Sequence, residues 1–219
     1  MASADSHDPY IDPTTGVLKN LVGASTKIAL NHAEGDLSFV RMLQLLDNPP
    51  ERTNDLDELR TIHRHLFQDV YDWAGELRTV DLRKSAGRRE PFLPVPMIRH
   101  AAAVAAGELQ EENGLRGLDR DRFIARLAYH YDQVNYIHPF REGNGRVQRL
   151  FWSRVARDAG WQLDWRRVHG SVNDTACQVA CEDQDRSLLI AMFEEVVIGP
   201  VVDDRDPDRL AFRLHPDES

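Results

Sequence analysis

The residues of this chain that could do chemistry together lie between His138 and Arg149, in the segment HPFREGNGRVQR. Gly143 and Gly145 flank Asn144, which lets the backbone adopt unusual dihedral angles and bring its N–H groups close to a ligand. The segment opens a predicted helix, where unpaired N–H groups and the helix dipole favour an anion. This arrangement predicts a phosphate-binding site.

The charged residues of the segment suggest a more specific ligand. Arg146 and Arg149 are three positions apart, so they project from nearly the same face of the helix, and two guanidinium groups suit a polyphosphate. Glu142 is either a salt-bridge partner for these cations or a hard oxygen ligand for Mg²⁺. Positive neighbours disfavour protonation of His138, which keeps the imidazole neutral as a general base requires.

The overall charge restricts where an anion can bind. The chain has 219 residues, 27 Lys and Arg against 36 Asp and Glu, and a formal net charge of −9. This is the size of one globular domain. An acidic chain is a poor general binder of nucleic acid or of an anionic membrane. The segment 138–149, with three arginines and one glutamate, is a basic island in that chain.

Nothing in the sequence indicates export or a membrane. The start, MASADSHDPY, lacks the basic and apolar regions of a secretory signal, and no apolar run approaches the ~18 residues of a membrane span. Cys177 and Cys181, without a nearby histidine, make half of a zinc site at most. We expect a cytoplasmic protein whose cysteines are reduced packing residues.

The elements that must position the segment are mostly helical. Apolar residues at helical spacing, with capping residues and Gly or Pro stops, predict a helical bundle. The predicted helices cover 36–47, from 55 to 71 or 73, 96–112, one capped by Asp119, 145–159, 171–181 and 187–197.

One stretch between these helices follows a different pattern. Residues 77–93 contain two short alternating stretches around Ser85-Ala86-Gly87, which predicts a β-hairpin. Its basic tip is either a solvated loop or a docking site. Residues 1–9 are expected to form a flexible tail, 10–198 one domain, and 199–219 an acidic C-terminal tail.

The segment also resembles the signature of a known family. It matches the Fic-domain pattern His-x-Phe-x-(Asp/Glu)-Gly-Asn-Gly-Arg-x-x-Arg at every defined position. YIDPTTGVLKN, LRTIHRHLFQDVYDWAGELRTVDLRKS and LRGLDRDRFIARLAYHYDQVNYIHPF are similar to short bacterial Fic toxins of the FicT kind. The resemblance implies an all-α, Fic-type helical bundle with a small β-hairpin flap over the active site. It also implies a protein adenylyltransferase that transfers AMP from ATP to a Ser, Thr or Tyr hydroxyl of a target protein.

The resemblance assigns roles to individual residues. His138 would be the catalytic base that deprotonates the target hydroxyl, and Phe140 would anchor the loop in the core. Glu142 would hold the Mg²⁺ cofactor, Arg146 the β-phosphate region and Arg149 the γ-phosphate of the co-substrate ATP. The implied ATP- and phosphate-binding residues are Arg141, Gly143, Asn144, Gly145, Arg146 and Arg149.

The predicted hairpin falls where the family has its flap. There the flap docks the target segment by strand addition, with main-chain bonds that are largely independent of sequence. The sequence therefore does not name the substrate. The implied docking residues are Arg78, Thr79, Val80, Asp81, Leu82, Arg83 and Lys84.

The resemblance also bears on partners. Many family members carry an inhibitory helix reading (Ser/Thr)-x-x-x-Glu-(Gly/Asn). Here Glu34 is preceded at the Ser/Thr position by Leu30, and Glu112 by Glu108. We therefore expect no internal inhibitor and a separate small antitoxin instead. The resemblance also suggests a DNA topoisomerase subunit as one candidate target of the AMP transfer.

Other activities stay open on the sequence. Gly145 and Arg146 favour adenylylation over the phosphorylation performed by the related Doc toxins. Another phosphate transfer or an AMP-removing activity on the same fold is an alternative. A catalytically silent nucleotide-binding module is a third, although intact His138 and Glu142 argue against it.

Overall fold

The computed structural model describes residues 8–83 and 91–201. Seven α-helices and one small sheet are formed by these residues. The helices are α1 (Lys27–Asp47), α2 (Leu56–Phe67), α3 (Ile98–Glu111), α4 (Arg120–Ile137), α5 (Asn144–Asp158), α6 (Gly170–Asp183) and α7 (Ser187–Val196). Short 3₁₀ turns cover Val95–Met97, Asn113–Leu115 and Trp165–Arg167. The all-α fold with a minor β component is confirmed.

Side-chain caps explain where several helices begin. Asp55 accepts hydrogen bonds from the N–H groups of Asp57 and Glu58, and Asp119 accepts one from that of Arg122, as the sequence predicts. Thr26 caps α1 through the N–H of Ala29. That cap starts the helix well before the predicted residue 36.

The C-terminal end of α2 differs from the prediction. The helix ends at Phe67 and not at 71 or 73. The carbonyl of Phe67 accepts from the N–H groups of both Val70 and Tyr71, and the rings of Tyr71 and Trp73 stack 4.2 Å apart. This turn packs two aromatic rings inward, which a straight helix would direct to different faces.

The apolar stripes of α2, α4 and α5 form the centre of the core. The apolar residues at helical spacing that form these stripes are buried, including Leu66, Leu127 and Phe151. On α1 the prediction is less accurate, because Met42 is buried but Leu43 is 38% exposed. Helix α4 packs against α3, α5, α6 and α7, so its C-terminal end is fixed on several sides.

The sheet lies away from the predicted hairpin. Strand β1 (Trp161–Leu163) pairs antiparallel with β2 (Val197–Pro200), Trp161 opposite Pro200 and Gln162 opposite Gly199. Strand β2 therefore includes residues 199 and 200, which the sequence predicts to lie in the acidic tail. Within the described parts of the chain, no helix is both long and apolar enough to cross a membrane.

The predicted hairpin forms no regular strand in its described residues, 77–83 and 91–93. One cross-arm bond joins the N–H of Phe92 to the carbonyl of Leu82, at 3.0 Å. The other main-chain bonds go to the end of α4, from Arg78 to Pro139 and from Leu93 to Tyr136. The arms are thus tied to a helix end as well as to each other; the tip, 84–90, lies outside the described residues.

Candidate active site

His138 stands at the end of α4, immediately before the loop. It has left-handed backbone angles, φ 45° and ψ 63°, and its N–H donates to the carbonyl of Val134 at 3.0 Å. Its ring stacks on that of Phe92, with the centroids 3.7 Å apart and the planes at 13°. The imidazole is half-buried and held by an aromatic residue of the flap arm.

Asn144 closes the loop that follows. Its Oδ1 accepts from the N–H of Phe140 at 3.0 Å, and its Nδ2 donates to the carbonyl of Phe140 at 2.8 Å. Phe140 is 1% exposed, so the loop is anchored in the core as predicted. The amide of Asn144 is thereby used within the protein, and the residue supports a phosphate site by shaping the backbone.

His63 of α2 holds the same loop from beneath. Its Nδ1 accepts from the N–H of Gly75 at 2.7 Å, so the ring proton is on Nε2, which donates to the carbonyl of Glu142 at 3.1 Å. The ring stacks on Phe140 with centroids 4.1 Å apart. Burial, together with the nearby charge of Arg146, lowers the pKa of His63 to about 3, which keeps this imidazole neutral.

The two glycines of the loop have different surroundings. Gly143 has φ +77°, and a Cβ there would lie 2.4 Å from ring atoms of Phe67. Around Gly145, apart from its two chain neighbours and the backbone of its own helix, no atom of the described residues lies within 4 Å of the position that a Cβ would occupy. Only glycine fits at 143, whereas at 145 the backbone faces open space at the start of α5, where a phosphate can approach.

Glu142 lies beside the first turn of α5. Its Oε1 accepts from the N–H of Gly143 at 2.9 Å. Burial raises the pKa of its carboxyl, and the negative charge of Glu34 adds to that effect. A bound cation would favour the ionised form of such a carboxylate.

Arg146 points into the protein. Its guanidinium forms an ion pair with Glu34 of α1, donates to Ser38 Oγ at 3.2 Å, and lies 4.7 Å from the ring centroid of Phe67. The hydroxyl of Tyr71 donates to the other oxygen of Glu34. Arg146 therefore belongs to a buried polar cluster that joins α1, α2 and α5.

The other two arginines of the segment differ from Arg146 and from each other. Arg141 forms two hydrogen bonds with Asp8 Oδ2, at 2.9 and 2.7 Å, which ties the N-terminal segment to the loop. Arg149 is half-buried, with its positive charge near the hydroxyl of Tyr131. Among the residues that the structure describes, no carboxylate pairs with Arg149.

The predicted docking residues differ in how far they are exposed to solvent. Thr79, Asp81 and Arg83 are exposed, and Val80 and Leu82 are half-buried. Asp81 accepts from the N–H of Val95 at 2.8 Å, and Thr79 bonds to the hydroxyl of Tyr10 through both its N–H and its Oγ1. The side chain of Arg78 is fully buried, and Lys84 lies outside the described residues.

Sequence reasoning missed several residues that contact the segment, among them Glu34, His63 and Phe92. Leu30 does not fit the inhibitory pattern that would assign a role to Glu34, yet Glu34 pairs with Arg146, the first defined arginine of the motif. The available signal was its position four residues after Leu30, which places this acid on the same helix face as an apolar residue. For His63 and Phe92 no local pattern distinguishes a site residue from a core residue.

The Fic/DOC family sequence profile matches residues 53–156. Protein adenylyltransferase VbhT of Bartonella schoenbuchensis is 40% identical over 163 residues, which cover 74% of this chain and 34% of VbhT. The Escherichia coli protein named probable protein adenylyltransferase Fic is 34% identical over 193 residues, 88% of this chain and 94% of its own length. The chain belongs to the Fic/DOC family. It thus spans about a third of VbhT but nearly all of the E. coli family member.

The fold agrees with solved structures of the family. The N-terminal Fic domain of a VirB-translocated Bep effector protein from Bartonella quintana, with bound ADP, superposes with a TM-score of 0.81. The two are 25% identical, and the match covers 87% of this chain and 95% of that one.

Proposed function

We propose that this chain is a protein adenylyltransferase, which transfers AMP from ATP to a Ser, Thr or Tyr hydroxyl of a target protein and releases pyrophosphate. The observation that carries the proposal is the position of His138. It is fixed at a helix end directly beside a loop whose backbone is open at Gly145. The curated relatives named as protein adenylyltransferases support the same activity.

The chemistry follows from the residues of the segment. The neutral imidazole of His138 takes the proton of the target hydroxyl, and the hydroxyl oxygen attacks the α-phosphorus of ATP. The bond to the β-phosphate bridging oxygen breaks, and pyrophosphate leaves with the electron pair. The backbone from Gly143 to Gly145 positions the phosphates at the start of α5, where the N–H of Gly145 faces the open side of the loop, and Arg149 binds the γ-phosphate.

The donor set fits a Mg²⁺ ion that binds together with ATP. Glu142 presents a hard carboxylate oxygen, and its anionic form, disfavoured by burial, gains from a cation. Among the described residues no group of three or more His, Cys, Asp or Glu could hold a metal alone. Glu142 would therefore share the ion with phosphate oxygens and water. When bound, Mg²⁺ neutralises charge on the phosphates.

Arg146 is proposed to bind the β-phosphate region of ATP. Its guanidinium also contacts Glu34 and Ser38, so a phosphate has to share this group with the buried cluster. Arg141 is likewise shared with Asp8. Arg149 is the arginine of the segment that has no carboxylate partner among the described residues, which suits direct phosphate binding.

The test is transfer of label from α-labelled ATP, with Mg²⁺, to protein in a bacterial lysate. Wild type should label one or more bands, and His138→Ala should label none. The control is His100→Ala, because His100 is an exposed histidine on α3 and should leave labelling unchanged. Equal labelling by wild type and His138→Ala would overturn the assignment of the base.

The same assay separates the alternatives. Transfer from γ-labelled but not α-labelled ATP would indicate a phosphotransferase. Release of AMP from a previously labelled protein would indicate an AMP-removing activity, in which water hydrolyses the bond between AMP and the protein. Nucleotide binding without either transfer would indicate a silent regulatory module.

The proposed protein partners are a target protein and an antitoxin. The arms of the flap are proposed to dock the target segment, and a DNA topoisomerase subunit is one candidate target. The chain is proposed to act in the cytoplasm as a toxin with a separate small antitoxin. Co-purification of a small protein expressed with the chain, and relief of growth arrest by that protein, would test the pairing.

A further inference from the structure

Arg78 has no exposed part of its side chain, although its position in the sequence suggested a docking residue. Its Nε donates to the carbonyl of His138 at 2.7 Å, and one terminal nitrogen donates to that of Val80 at 2.8 Å. The other terminal nitrogen donates to the carbonyls of Leu93 and, at 3.4 Å, Ile137. All three nitrogens of the guanidinium are thus bonded to main-chain oxygens.

The positive charge of this guanidinium is stabilised almost entirely by main-chain carbonyl groups. The carboxylate of Asp81 lies 3.8 Å away, beyond hydrogen-bond distance, and its side chain is 68% exposed. Burial lowers the pKa of Arg78 from its usual value, which shows that the site disfavours the charge. Burial of a charged group costs free energy unless the group is hydrogen-bonded. The carbonyl groups that accept from Arg78 are therefore held in place around it, together with the segments that carry them.

The segments it joins are the flap base, which we define as residues 78–82 and 92–93, and the last turn of α4. Main-chain bonds accompany the side chain, from the N–H of Arg78 to Pro139 at 2.9 Å and from that of Leu93 to Tyr136 at 3.1 Å. The N–H of Phe92 bonds to Leu82 across the arms. Arg78 is the point where both arms and the helix end meet.

The helix end carries the strained residue. Left-handed backbone angles strain a residue that carries a Cβ, and His138 adopts them. The carbonyl of this residue accepts from Arg78 Nε. The ring of His138 is held at the same time by Phe92.

We propose that Arg78 is a positioning residue that sets the orientation of His138 and aligns both flap arms to it. A target strand bound to the arms is then presented to the imidazole in a fixed geometry. The inference rests on the proposed function, in which His138 is the base. It assigns to Arg78 a role inside the protein in place of a contact with the target.

The test uses Arg78→Met, which keeps the bulk of the side chain and removes its donors. Misplacement of a catalytic group by about 1 Å can cost about 100-fold in rate, and we expect a loss of that size in AMP transfer from α-labelled ATP. The Kd for a non-hydrolysable ATP analogue should stay at the wild-type value, because the phosphate loop is untouched. The control is Arg122→Met, since Arg122 lies on the exposed side of α4, and its transfer rate should not change.

A second variant covers the case in which Arg78→Met does not fold. Arg78→Lys keeps a charge with fewer and differently arranged donors, and we expect it to fold with a transfer rate between those of wild type and Arg78→Met. A wild-type transfer rate in a folded Arg78→Met or Arg78→Lys variant would overturn the inference. A parallel loss of nucleotide binding and transfer would indicate general damage and would also contradict it.

One readout is independent of the proposed reaction. The imidazole ¹⁵N signals of His138, assigned by their loss in His138→Ala, should shift in Arg78→Met and remain unchanged in Arg122→Met. If wild type transfers no AMP, the proposed function fails, and these signals still decide the inference. Unchanged His138 signals in a folded Arg78→Met variant would reject a positioning role.

Discussion

Two parts of the phosphate segment are built from the same short sequence but are used differently. In the anchored part, Phe140, Gly143, Asn144 and Arg146 face protein atoms and are bonded or packed against them. In the open part, Gly145 faces empty space, and no described carboxylate pairs with Arg149. Substitutions of the anchored residues should therefore lower the stability of the fold, and substitutions in the open part should weaken ligand binding.

The largest contrast is expected between the two motif arginines. Arg146→Ala leaves Glu34 buried without its cation, which should lower the free energy of unfolding by about 3–5 kcal/mol. Arg149→Ala removes a half-buried side chain without a carboxylate partner among the described residues, so it should change this free energy by at most about 1 kcal/mol. Loss of a charged phosphate contact should, however, raise the KM for ATP about tenfold or more in Arg149→Ala. Urea denaturation and ATP titration measure the two effects; equal destabilisation by both changes would remove the distinction.

The two glycines give the next contrast. Gly143→Ala forces a left-handed residue and a clash with Phe67, so it should cost about 2–4 kcal/mol of stability. The Cβ of Gly145→Ala meets no atom of the described residues beyond its own helix backbone and chain neighbours, and in a helix alanine can add up to about 1 kcal/mol of stability. Its effect should appear in weaker ATP binding. A stable, active Gly143→Ala enzyme would contradict the packing seen around this loop.

His63 makes the anchored part sensitive to acid. Its pKa is lowered from 6.5 to about 3 in the folded protein, so the unfolded chain binds the proton more readily. The stabilisation is complete above pH 6.5 and is lost as the pH falls, by up to about 1.4 kcal/mol for each pH unit. His63→Gln should be less stable at pH 7 and should depend less steeply on pH between 6.5 and 4.5. Parallel pH profiles of the two proteins in urea denaturation would disprove this.

The smallest effect is expected at the edge of the segment. The pair between Arg141 and Asp8 is partly exposed, with side chains 18% and 26% accessible. Asp8→Asn should therefore cost less than about 1 kcal/mol. The variant should keep the His138-dependent transfer rate. A large loss of stability would mean that the N-terminal segment belongs to the anchored part as well.

Most of the bundle could be predicted because its helices depend on local signals. Asp55 and Asp119 cap helices where the sequence places them, and the apolar stripes of α2, α4 and α5 are buried as periodicity requires. The predictions fail where long-range contacts decide. The turn after Phe67 and the pairing of β1 with β2 depend on packing partners far away in the sequence.

By itself the sequence determined the chemistry available: one histidine, one acid, a glycine-rich helix start and a set of arginines in a fixed order. Their order along the chain sets which groups can meet at one loop. It could not determine which arginine serves the protein and which serves the ligand, since that depends on contacts such as the one between Arg146 and Glu34, 112 positions apart. Burial and long-range hydrogen bonds are properties of the folded chain, and they placed Arg78 inside the protein, bonded to the carbonyl of His138.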